Sequence, residues 1–160
     1  MIKIGVSACL LGQNVRYDGR NKAIDINDHF DPKKYQLIGI CPEVEMGLSI
    51  PRPPIKLIKD GEIKLVQVDD HSIDLTHQMR NWFQTNFQEL SQFSGFILKS
   101  KSPSCGIQST LMFSKNQTKK TDGLFVRFLK QDKSSIVLID EINIQNNGLR
   151  NQFMKNLLIR

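Results

Sequence analysis

Four short apolar runs punctuate this chain of 160 residues: "IKIGVS" at 2–7, "QLIGI" at 36–40, "FIL" at 96–98 and "SSIVLID" at 134–140. Ile2, Ile4 and Val6 alternate in the first, as a strand requires. Runs this continuously apolar fit strands buried on both faces, the condition of a parallel sheet covered by helices. Segments with helical spacing lie between the runs, and strand–helix alternation is the signature of that layered architecture. The expected fold is therefore α/β: a single Rossmann-like domain over 1–160, with a mainly parallel sheet and helices packed on it. The length agrees with one domain.

The clearest helix spans 74–92, where Leu75, Met79, Trp82, Phe83, Phe87 and Leu90 recur at three- and four-residue spacing. Asp74 is its expected N-cap, and the Met and aromatic stripe is core. Further helices are expected at 124–130, at 148–160 and, as a short piece, from the early twenties to Phe30. The four prolines of "CPEVEMGLSIPRPPI" (41–55) rule out a long helix there. "IKLIKDGEIKLVQV" (55–68) reads as a hairpin turning at Asp60-Gly61, a solvated flap. The densest basic group, "KNQTKKTDG" (115–123), reads as a solvated loop, with contact to an RNA backbone as the sharper alternative.

No apolar stretch approaches the roughly 20 residues that a membrane helix needs, so no membrane is expected among the partners. "MIKIGVSACLLG" lacks a basic n-region followed by a long apolar h-region, and the expected compartment is the cytoplasm. Net charge of +6 permits contact with phosphates without requiring it. Nothing in the residues points to an oligomeric state.

The three cysteines, Cys9, Cys41 and Cys105, are too few and too scattered for a disulfide framework. Each sits just past the end of an apolar run. In an open parallel sheet those carboxyl ends share one edge, where ligands bind. Thiols more than thirty residues apart can thus meet at one point, and three thiolates at one edge suggest a metal centre. Zinc held by three cysteines usually recruits a fourth protein ligand, yet none of His29, His71 and His77 follows a cysteine-bearing strand. A cubane iron–sulfur cluster usually takes four cysteines. Held by three, it keeps one iron open, and an open metal position marks catalysis. Glu43, two residues after Cys41, is a carboxylate near such a centre or a salt-bridged surface group. Ser100, Ser102 and Ser104 precede Cys105 and read equally as turn formers; facing the centre, a Glu and a Ser would position and activate a water. Arg16, Asp18 and Arg52 are candidates for substrate contact or for structural charge pairs, and Glu45 is expected to point away.

The segments "SACLLG" (7–12), "VRYDG" (15–19), "CPEVEMGL" (41–48), "PRPP" (51–54) and "LKSKSPSCG" (98–106) resemble the thiouracil desulfidase family, in order and across nearly the whole chain. The resemblance implies a [4Fe-4S] cluster held by Cys9, Cys41 and Cys105, with one iron not bound by protein. It implies non-redox removal of sulfur from a thiolated uracil, giving uracil and hydrosulfide. Glu43 and Ser102 are the implied catalytic pair, with Ser100 as second choice for the serine. The substrate class implied is a small thiolated base. "CPEVEMGL", "DGLFVRFL" and "LRNQFMKN" resemble more a longer form of the family. That form carries an extra C-terminal domain and is associated with thiouridine in tRNA, which makes tRNA an alternative partner. Glu45-Met46-Gly47 stands where free-standing members have Gly-Gly after "CPEV", and Arg20 replaces a commoner glycine after "RYDG".

Two other classes remain compatible with the residues. One is a non-catalytic metal or iron–sulfur module acting with a partner. The other is a thiol-dependent hydrolase using Cys105, which would need a histidine that no cysteine-bearing loop supplies.

Overall fold

A computed structural model describes residues 1–133 and 135–159. In chain order its strands are β1 (Ile2–Ser7), β2 (Tyr35–Ile40), β3 (Ile55–Asp60), β4 (Glu62–Gln67), β5 (Gly95–Leu98), β6 (Thr110–Phe113), β7 (Thr118–Thr121) and β8 (Val137–Asp140). Its helices are α1 (Pro42–Glu45), α2 (Thr76–Thr85), α3 (Phe87–Leu90), α4 (Leu124–Asp132) and α5 (Asn147–Leu157).

The four apolar runs form one sheet, in the order β2-β1-β5-β8. Every neighbouring pair in it is parallel. Side chains alternate between its faces. Phe96 and Leu98 enter one core, which α2, α4 and the second sheet cover with Met79, Phe83, Phe125, Leu57 and Leu65. Ile4, Val6, Ile97 and Ile139 enter the other core, closed by Ile26, Phe30, Phe153 and Leu157. Gly5 is required at the centre of the sheet, because a Cβ there would lie 2.4 Å from the Phe96 ring. The α/β expectation, with a mainly parallel sheet, is what the chain adopts. Among the described residues no helix is long and apolar enough to cross a membrane.

The expected hairpin is present as β3–β4, paired antiparallel from Ile55↔Gln67 to Asp60↔Glu62. It belongs to a second sheet, β4-β3-β6-β7, rather than standing free as a flap. The basic stretch expected to be a loop contributes its edge strand, β7, whose Lys119 and Lys120 are exposed.

Three helical expectations shift. No helix forms in the twenties. There the amides of Lys22 and Ile24 donate to Cys9 O and Leu10 O, and Asn21 Oδ1 accepts from Ala23 N, so the local donors are spent outside any helix. Only a 3₁₀ turn at Asn27–His29 remains. The 74–92 helix breaks at Asn86, whose side chain donates to Trp82 O at 2.8 Å and whose backbone leaves the helical range. Asp74 Oδ1 accepts from Thr76 N at 2.9 Å, but the N-cap position itself falls on Leu75. The terminal helix begins at Asn147, one residue early. Ser134, assigned to the fourth run, and Arg160, assigned to the terminal helix, lie outside the described residues.

Candidate functional site

The order of the parallel sheet reverses between β1 and β5: from β1 the chain goes to β2 on one side, while β5 lies on the other. Ligands of open α/β sheets bind at such a point, outside the carboxyl ends of the strands. Three segments leave the sheet there. Cys9 lies in the 3₁₀ turn Ala8–Leu11 directly after β1. Cys41 follows β2 and sits at the N-cap of α1, where Glu45 Oε2 accepts the Cys41 amide at 2.9 Å. Cys105 comes from the loop after β5. That loop is clamped by α4: Gly123 N donates to Gly106 O at 2.8 Å and Leu124 N to Pro103 O at 2.9 Å. Gly123 permits this approach, since a Cβ would lie 2.5 Å from the Ser104 carbonyl.

All three thiols line one cavity of about 340 Å³. Burial pushes the Cys9 thiol up to about 11, against the pull of the Arg16 charge, with Cys41 adding to the rise. Cys41 is raised by burial, opposed by the amide of Val44. Cys105 is raised furthest, again by burial, opposed by the Ser7 hydroxyl, with Cys41, Glu43 and Cys9 adding to the rise. Protein alone therefore keeps these thiols protonated. A coordinating metal would reverse this by taking them as thiolates.

Glu43 lies buried at the cavity wall. Its Oε1 accepts from Arg52 Nε at 3.1 Å and Nη2 at 2.9 Å, and its Oε2 accepts from the Ser104 hydroxyl at 2.8 Å. Arg52 is itself tied through its amide to Tyr17 O at 2.9 Å. Arg52 is thus Glu43's ion-pair partner. Ser104 is the serine that reaches the carboxylate, though Glu43 and Ser104 lie 61 residues apart.

The other two serines line the cavity and differ in what they have left to offer. The Ser100 hydroxyl donates to Glu141 Oε1 at 2.6 Å. Ser102 Oγ instead accepts from Ser104 N at 3.2 Å and Cys105 N at 3.0 Å, and among the described residues no acceptor takes its own proton. Glu141, at the end of β8, was not singled out by sequence. Burial pushes its carboxyl up, but the Ser100 hydroxyl and amide and the Lys99 ammonium at 3.0 Å outweigh burial and hold it below the usual range. Glu45 is occupied with the α1 cap, away from the cavity lining. His29, His71 and His77 are exposed, and none lines the cavity.

The donor set discriminates between kinds of metal centre. Among the described residues no group of three His, Cys, Asp or Glu side chains is arranged to hold a single ion. One zinc would need its sulfurs about 2.3 Å from one point. Three thiols that line one cavity without converging on a single-ion site are compatible with a polynuclear group, whose irons each take one thiolate. Arg16 Nε, buried at the same wall without a hydrogen-bond partner, supplies a donor that an anionic occupant would satisfy.

Fold and pocket together define an α/β protein with a three-thiol centre at the carboxyl edge of a parallel sheet. The chain belongs to the 2-thiouracil desulfurase family, whose model matches residues 4–141. It is 29% identical over 147 residues to the uncharacterized protein YbbK of Bacillus subtilis, covering 86% of this chain and 96% of that one. It superposes on the solved structure of the [4Fe-4S]-dependent thiouracil desulfidase TudS with a TM-score of 0.73 and 30% identity, over 95% of this chain and 99% of that chain.

Proposed function

We propose that this chain is an iron–sulfur-dependent desulfidase that replaces the sulfur of a thiolated uracil with the oxygen of water. The C–S bond breaks, a C–O bond forms, and uracil leaves with hydrosulfide and a proton, without net oxidation or reduction. The observation that carries this reading is the meeting of Cys9, Cys41 and Cys105 on one cavity wall, from three separate strand exits.

Cys9, Cys41 and Cys105 would hold a [4Fe-4S] cluster. The chain has no fourth cysteine, and both Glu43 oxygens are engaged by Arg52 and Ser104. These facts support one iron without a protein ligand. When bound, that iron supplies a soft Lewis-acid position for the substrate's sulfur. Val15, Tyr17, Pro54 and Ile55 offer a flat ring an apolar seat. Glu43 is assigned as the acceptor for the proton of the attacking water, its charge balanced by Arg52. Ser102 is assigned the donor role because its hydroxyl proton is uncommitted, whereas those of Ser100 and Ser104 are given to Glu141 and Glu43. Three free cysteines and no disulfide fit work in the cytoplasm.

The test is anaerobic reconstitution with iron and sulfide, then a panel of thiouracils, thiouridine and thiolated tRNA. Hydrosulfide released in step with uracil formation is expected from a free thiolated base. Release from no member of the panel by cluster-loaded protein would overturn the proposal.

A further inference from the structure

Arg16 sits in the loop that folds back over Cys9. The amides of Gly12 and Lys22 both donate to the Cys9 carbonyl, at 3.4 and 2.9 Å, and hold the two ends of that loop against it. The Arg16 side chain lines the cavity that holds the three thiols. Its Nε is the only buried side-chain nitrogen or oxygen among the described residues without a hydrogen-bond partner. Asp18 Oδ1, its ion-pair partner, lies 4.0 Å from Nε, beyond hydrogen-bond reach. A buried donor left unpaired is costly, and every other buried polar side chain here has been satisfied. This one therefore marks a place where an acceptor belongs. Cys9 lines the same cavity, and the Arg16 charge acts on its sulfur more strongly than any other charged group does.

We infer that Arg16 donates its Nε–H to the Cys9 thiolate once the cluster is in place, making it a positioning residue for the centre. The inference rests on the cluster reading above. Groups that hydrogen-bond a metal's ligands are worth roughly 10–100-fold in metal affinity. Hydrogen bonds to the sulfurs also help set a cluster's reduction potential. A cation donating to a thiolate favours the more negatively charged, reduced cluster. Lysine keeps the charge but not the rigid N–H fork.

The test compares wild type, R16K and R16M, each reconstituted anaerobically. It records the cluster midpoint potential, the rate of iron loss to a chelator and the melting temperature of the cluster-free protein. R16M is expected to shift the potential downward and lose iron roughly 10–100-fold faster, with R16K between it and wild type. The cluster-free R16M protein is expected to melt no lower than wild type, because it no longer buries an unpaired donor. A merely structural arginine would instead lower that melting temperature. R16M with wild-type potential and iron retention overturns the inference, as does a variant altered only in KM for the thiolated base. Failure of the wild-type protein to assemble four irons shows up before any variant is compared. It overturns the cluster reading and the inference with it.

Discussion

Arg52→Met should expose how much of the site depends on one buried ion pair. The Arg52 and Glu43 side chains are only 5% and 12% exposed, and two hydrogen bonds join them. Removing the guanidinium leaves Glu43 buried with the Ser104 hydroxyl as its remaining partner. Breaking a buried pair from one side costs about 3–5 kcal/mol, because the surviving charge is left uncompensated. At about 2–4 °C per kcal/mol for a chain of this size, the melting temperature should fall by about 6–20 °C. The same arithmetic predicts rescue. Adding Glu43→Gln to Arg52→Met removes the stranded charge, so the double variant should be more stable than R52M alone. Thermal melts and urea titrations of cluster-free wild type, R52M, E43Q and the double variant complete the cycle. A loss below about 1 kcal/mol in R52M, or a coupling energy indistinguishable from zero, would refute the claim that this pair is a buried, mutually dependent unit.

Substituting Cys9, Cys41 or Cys105 with serine should abolish or sharply deplete bound iron and visible absorption in reconstituted protein, whereas Glu43→Gln should keep the colour and lose turnover; iron analysis and sulfide release check both. Ser102→Ala should lower kcat by about 100-fold or more, the range of a lost general acid–base group. Ser100→Ala should act instead on stability, through Glu141. The cluster-free protein should lose stability as pH rises from 9 towards 11. Cys9 ionises at about 11 when folded but at the ordinary 9.0 when unfolded, so the folded state binds the extra proton across that window. Two pH units correspond to about 2.7 kcal/mol for Cys9 alone. Urea midpoints against pH should fall less steeply in Cys9→Ala, where Cys41 and Cys105 still titrate above their unfolded values, and should flatten in cluster-loaded protein, whose thiols are already deprotonated.

The parallel sheet was legible because its strands are continuous apolar runs, and burial on both faces leaves such runs few alternatives. With the sheet came the cysteines, since each sits at a strand exit and the exits share an edge. The polar second half of the other sheet was not legible. β7 is Thr118–Thr121 with both lysines exposed and only Thr121 buried, which leaves no apolar alternation to detect. The short helix expected before Phe30 does not form, because Asn21 and the Cys9 and Leu10 carbonyls take the amides it would need. Within the site, sequence placed Glu43 near the thiols and could not reveal its partners. Ser104 reaches it across 61 residues, and Arg52, a candidate for substrate contact or a charge pair on sequence, could not be matched to its partner by spacing alone. Glu141 was invisible for the same reason: it meets Ser100 from the end of a strand 41 residues away.

If the three thiols hold a cluster and water replaces the substrate's sulfur without redox chemistry, turnover of a thiouracil by anaerobically reconstituted protein in ¹⁸O-labelled water, with no reductant added, will show it. One labelled oxygen is expected in each uracil formed, with one hydrosulfide released alongside it. Unlabelled uracil, or hydrosulfide that appears only when a reductant is supplied, would contradict it.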